Sequence, residues 1–139
     1  MPNEIQPDNL AIDLLPSRIA DLVEVIGLKA ALKIVELRGG IRLCVPKKAT
    51  PDHWLAEHIG IEALTQLCKI YGGEIIEIDR CAAALRAVFE ASIVREHDAG
   101  ASNSELARRH GYTERGIRKL RRRVESRAPS LNYDLFDED

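Results

Sequence analysis

Hydrophobic positions along the first half of the chain follow two alternating periods. Leu28, Ala31, Leu32 and Val35 recur at the three- and four-residue spacing of a helix, and Gly39-Gly40 follows where such a helix would end. Ile41, Leu43 and Val45 then alternate with Arg42 and Cys44, which predicts a short strand stopped by Pro46. The same series returns further on. Ile61, Leu64, Leu67 and Cys68 form a second stripe, Gly72-Gly73 a second stop, and Ile76 and Ile78 alternate with Glu77 and Asp79, although Ile75 breaks the alternation.

The recurrence is a true internal repeat. A shift of 33 residues lays Leu22–Lys47 over Leu55–Arg80, and seven of the 26 positions are identical: Leu22/Leu55, Glu24/Glu57, Ile26/Ile59, Gly27/Gly60, Ala30/Ala63, Gly39/Gly72 and Gly40/Gly73. Each copy reads as an apolar segment, one Gly, a helix, a Gly-Gly break and a strand. A three- or four-residue strand is not stable singly, so the two strands must pair with each other or with strands of a second chain, and the pattern leaves that choice open. Between the copies, Thr50-Pro51-Asp52 reads as a turn that caps and starts a helix. After the second copy, Cys81 to His97 forms a long helix with Leu85, Val88, Phe89 and Ser92/Ile93 on one face, ended by Gly100.

From Asn103 the chain runs N-S-E-L-A-R-R-H-G-Y-T-E-R-G-I-R-K-L-R-R-R. Ser102 or Asn103 caps a short helix reaching about His110, Gly111-Tyr112 makes a turn, and Thr113 caps a second helix reaching about Ser126. Two short helices crossing steeply need a small residue where they approach, supplied by Ala107, and a residue tolerant of positive φ at the turn, supplied by Gly111. Ile117 and Leu120 then press back on Leu106. That spacing is the signature of a helix-turn-helix, whose second helix enters the major groove.

With Ile117 and Leu120 turned inward, the opposite face carries Thr113, Glu114, Arg115, Arg118 and Lys119, the residues expected to reach base edges: arginine to guanine, glutamate to the cytosine amino group. Arg108, Arg121, Arg122 and Arg123 are placed for phosphates. Arg109 is either a further backbone clamp or a plain surface residue. Arg42, Lys47 and Lys48 beside the first strand offer a secondary phosphate contact, or simply a charged turn.

Charge sharpens this picture, because the net of −2 conceals an uneven distribution. Residues 1–102 hold 11 Lys/Arg against 15 Asp/Glu, residues 103–127 hold nine against three, and residues 128–139 hold only Asp134, Asp137, Glu138 and Asp139. A basic lobe confined to one segment of an acidic chain is the footprint of a phosphate-binding surface. Cys44, Cys68 and Cys81 stand far apart without a C-x-x-C pair, and no basic-then-apolar leader opens the chain, so a cytoplasmic protein with reduced thiols is expected. No apolar run approaches the length of a bilayer span. The cysteines with His53, His58 and His97 match no zinc spacing, and no metal or other cofactor is expected. Lone cysteines of this kind are usually buried packing residues. Glu57 with His58, or Asp79 with His97, lack the nucleophile motif, phosphate loop or metal constellation an enzyme would need, so an enzyme is not expected.

The order helix, Gly-Gly, strand, connecting helix and helix-turn-helix, carried by L-C-K-I-Y-G-G-E-I-I-E-I-D-R and by the segment from Asn103, resembles the Mor/C family of Mu-like phage transcription activators. The resemblance covers Leu55 to Arg123, and the repeat extends a similar unit back to Leu22. It implies a homodimer joined through strands after the Gly-Gly turn, a dyad-symmetric promoter element on double-stranded DNA, and recruitment of RNA polymerase. The family strand typically ends in Pro and a basic residue; the first copy keeps this as Pro46-Lys47, whereas the second has Asp79-Arg80.

The expected fold is therefore mainly α with a small β element. A flexible stretch at residues 1–9 precedes a dimerisation region of tandem helix-Gly-Gly-strand units at 10–80. A connecting helix at 81–100, a helix-turn-helix DNA-binding domain at 101–127 and an unstructured acidic tail at 128–139 follow. The competing readings are an accessory DNA-binding protein of recombination or genome organisation, and a protein-interaction module that does not touch DNA.

Overall fold

The computed structural model describes the backbone of residues 14–137 and the side chains of residues 14–126. Helix α1 (Ser17–Ile26) and α2 (Leu28–Arg38) lead into strand β1 (Arg42–Cys44). Helix α3 (Trp54–Ile59), α4 (Ile61–Tyr71) and β2 (Ile75–Glu77) repeat that order. Helices α5 (Ala82–Asp98), α6 (Asn103–His110) and α7 (Glu114–Asp137) complete the chain. The described residues thus form seven helices and one two-stranded antiparallel sheet. They divide into two compact units, with the division between Phe89 and Glu90.

Within the first unit the 33-residue offset of the sequence becomes a two-fold relation in space. The strands pair inside the chain with Arg42 opposite Glu77, Leu43 opposite Ile76 and Cys44 opposite Ile75. Leu43 therefore faces its own repeat counterpart, and the approximate axis passes through that pair. Hydrogen bonds around the sheet come in matched sets. The Gly40 and Gly73 amides donate to the Ile78 and Val45 carbonyls at 2.7 and 3.0 Å, and the Val45 and Ile78 amides donate to the Glu74 and Ile41 carbonyls at 2.9 and 3.0 Å. Helices follow the same rule, for α1 packs on α4 of the other copy and α2 on α3.

The core of this unit is built from repeat-related pairs: Leu22 with Leu55, Ala31 with Leu64, Ile34 with Leu67 and Val45 with Ile78 are all buried. Such burial is the principal favourable contribution to folding. The Gly-Gly breaks are needed for close approach. A Cβ on Gly39 would lie 2.6 Å from the Val35 carbonyl oxygen, and one on Gly72 would lie 2.5 Å from that of Cys68. On the far side of each break the side chain of the other copy closes in, Arg80 over Gly40 and Lys47 over Gly73.

Several sequence expectations are corrected here. The helix between the copies begins at Trp54 rather than near Thr50, with the His53 Nδ1 accepting the Leu55 amide at 3.1 Å. An imidazole caps it where a hydroxyl or carboxylate was expected, because the Thr50–Asp52 segment is spent in a turn closed by His53 N–H to the Thr50 carbonyl. The apolar segments before Gly27 and Gly60 are both helices. Helix α7 runs to Asp137, past both the expected end near Ser126 and the start of the expected unstructured tail; extending a formed helix costs far less than nucleating one. Of the cysteines, Cys44 is exposed and Cys68 and Cys81 are half-buried, so none is a fully buried packing residue. Burial pushes the thiols of Cys68 and Cys81 up, and Asp79 adds to the effect at Cys81. The expected flexible stretch at residues 1–9 lies outside the described residues.

Candidate nucleic-acid interface

The second unit sets three helical segments around a small apolar centre. Ser102 opens α6 through a capping box: its hydroxyl accepts the Glu105 amide at 3.1 Å, and the Glu105 carboxylate accepts the Ser102 amide at 2.8 Å. The backbone amide of Ser102, and next the Ser102 side chain, hold the Glu105 carboxyl below its ordinary range. At the other end Gly111 takes the left-handed conformation at φ 76°, ψ 28°, and the Gly111 and Tyr112 amides both donate to the Ala107 carbonyl. A side chain is disfavoured at that φ, so glycine is the residue that lets the chain reverse here. Thr113 then caps α7, its hydroxyl accepting the Gly116 amide at 2.9 Å.

Leu106 and Ala107 of α6 and Ile117 and Leu120 of α7 are buried, which fixes which face of α7 is turned outward. Thr113, Glu114, Arg115, Arg118, Lys119 and Arg122 are all exposed on it. Arg118 stands 3.9 Å from Glu114 one turn earlier, a separation at which either group exchanges readily for another partner. Arg115, Lys119 and Arg122 make no hydrogen bond or ion pair among the described residues, and the same holds for Arg108 on α6. Lys119, Arg122 and Arg123 line one shallow hollow together with Ser126.

Other cations expected at phosphates have carboxylate partners within the protein. Arg123 donates to the carboxylate of Glu90 at 2.9 Å, and Glu90 is itself buried. Arg121 is half-buried and lies 3.7 Å from Glu125. Arg109 donates to Glu96, whose carboxylate also lies 3.2 Å from His110 Nε2. Burial works to raise the Glu96 carboxyl, but the hydrogen bonds from His110 and Arg109 outweigh it and bring it below the ordinary 4.5. Glu90 and Glu96 on α5 thus tie down α7 and α6. Sequence reasoning passed over both, although two acids on an otherwise apolar-faced helix beside an arginine-rich segment were a readable hint.

Arg42, Lys47 and Lys48 belong to the first unit. Arg42 faces Glu77 across the strands, and the stem of Lys47 covers Gly73. Among the described residues no three His, Cys, Asp or Glu side chains are grouped to hold a metal ion, and no helix is long and apolar enough to cross a membrane.

No curated protein and no solved structure gives a significant match to the chain. The profile of the Mor transcription activator family matches residues 47–131, more than half of its length, from just after β1 into α7. On that match the chain belongs to the Mor transcription activator family, a family of transcription regulators rather than enzymes.

Proposed function

We propose that the protein is a sequence-specific DNA-binding transcription regulator of the cytoplasm, which reads duplex DNA with the helix-turn-helix formed by α6, Gly111–Thr113 and α7. The observation that carries this reading is the division of α7. Ile117 and Leu120 are buried while Thr113, Glu114, Arg115, Arg118, Lys119 and Arg122 share the outer face at the helix N-terminal end. In a helix lying in the major groove, that end meets base edges and the following turns meet phosphates. Arg115 and Arg118 suit guanine, Glu114 a cytosine amino group, Thr113 and Lys119 further base edges, and Arg122 and Arg108 the backbone. Arg123 and Arg109 are left out of the contact set, because their partners Glu90 and Glu96 already engage them.

Family membership supports activation as the direction of regulation, and the resemblance noted in the sequence adds phage or prophage genes as targets and RNA polymerase as the protein recruited. The homodimer and dyad-symmetric element implied by the resemblance stay outside this proposal, since the strand pairing that would join two chains is made within one. Selection of bound sequences from a random duplex library tests the reading. A defined sequence is expected to be enriched, with affinity falling roughly a thousandfold between about 50 and about 200 mM salt for about six phosphate contacts. Enrichment without an effect on a reporter promoter would favour an accessory role in recombination or genome organisation, and salt-insensitive binding to protein alone would overturn the DNA reading.

A further inference from the structure

The two-fold relation of the first unit has a broken partner in the rest of the chain. Connecting helix, turn and basic helix follow only the second copy; after β1 the chain passes straight to α3. The family match begins at residue 47, so the whole of α1, α2 and β1 stands outside it. A complete copy has been placed ahead of the family unit, and it packs on that unit's own copy.

We infer that the first copy is an in-chain stand-in for a second subunit, so that each chain acts alone, with one reading helix on a non-palindromic DNA site. The part concerning DNA rests on the function proposed above. Two identical subunits joined about an axis present the same patch to each other. Here the first copy fills that patch: α1 lies on α4, α2 on α3, and β1 along β2 in a register centred on Leu43 and Ile76.

Divergence between the copies favours this unlike pairing over pairing of like with like. Arg42 stands opposite Glu77, a pair of unlike charges. By the 33-residue offset, Arg42 corresponds to Ile75 and Glu77 to Cys44, so two first copies would set Arg42 against Cys44 and two second copies Ile75 against Glu77. The open cleft between the copies is lined by repeat-related pairs, among them Ile26 with Ile59 and Lys29 with Glu62. Like copies would bring Lys29 to Lys29 or Glu62 to Glu62 around that cleft. Unlike charges between the copies and like charges in the alternatives select one partner against another.

The test uses the full chain. Its mass in solution is measured by light scattering from low to high micromolar concentration, alone and with duplexes recovered from the random library. Those duplexes carry the enriched site once, or twice as an inverted repeat. A monomer that forms a one-to-one complex on an asymmetric site is expected, and inverting and doubling the site is expected to raise apparent affinity no more than roughly twofold. A stable dimer, by whatever route its strands are exchanged, overturns the inference. So does a palindromic site bound by two chains with an avidity gain on the order of a hundredfold or more, and both outcomes leave the DNA reading standing. A monomer without salt-sensitive duplex binding supports the stand-in and overturns the DNA reading together with the site prediction.

Discussion

In the first unit Leu22 meets the burial of Leu55, and Ile34 that of Leu67, through a two-fold relation that pairs apolar positions with their own repeats. In the second unit the buried set around α6 and α7 is short, Leu106, Ala107, Ile117 and Leu120, and carboxylates of α5 hold arginines of the other two helices. The difference reflects what each surface is free to become. A unit whose inner faces are consumed by its own copy can fill its interior with apolar side chains. A unit that must keep one face strongly cationic gives up much of its surface to charge, and it recovers order through caps, a left-handed glycine and anchored arginines.

The sharpest way to separate the two is a core truncation. Leu67→Ala is expected to cost about 2 to 5 kcal/mol of unfolding free energy, read by denaturant titration of the first unit, with the helical signal of the second retained. A single transition in which both units are lost together would mean that they do not fold separately. Gly111→Val places a β-branched residue at φ 76°, where no neighbour blocks the side chain and the penalty is backbone strain alone. A loss of about 1 to 3 kcal/mol confined to the second unit is expected, together with loss of duplex binding.

Arg118→Ala acts on the exposed face. Duplex affinity is expected to fall by about 1 to 3 kcal/mol and preference at one base position to relax, with the thermal midpoint unmoved; unchanged affinity would remove Arg118 from the base contacts. Smallest is the acid response of the second unit. The folded pKa of Glu96 lies below its ordinary 4.5, so its stabilising effect is complete above that value and is lost as the pH falls through the lowered one. Glu96→Gln is expected to flatten that acid limb, and an unaltered limb would show that the carboxylate does not anchor α6.

Much of the fold was legible because its signals are local. Helix stripes, Gly-Gly stops and the spacing of Ala107, Gly111, Ile117 and Leu120 each express constraints that act within a few residues. The cap of α3 was not, since His53 competes with Thr50 and Asp52 for the same role and only the turn at residues 50–53 decides between them. Nor was the standing of the arginines. Arg115 and Arg123 look alike in sequence, yet one is exposed without an ion pair among the described residues and the other is bound to Glu90, 33 positions away.

By itself the sequence determined the repeat, the helical character of most segments, the basic lobe and the face of α7 that points outward. These follow from periodicity and charge, which are properties of neighbours along the chain. Tertiary structure alone decided that β1 pairs with β2 of the same chain, that unlike copies meet about the Leu43–Ile76 pair, and which arginines are paired with a distant carboxylate. The physical reason is common to all three: each depends on partners far apart in sequence. Two short strands carry the same pattern whether they meet within one chain or between two, and an arginine carries the same charge whether or not a carboxylate waits for it.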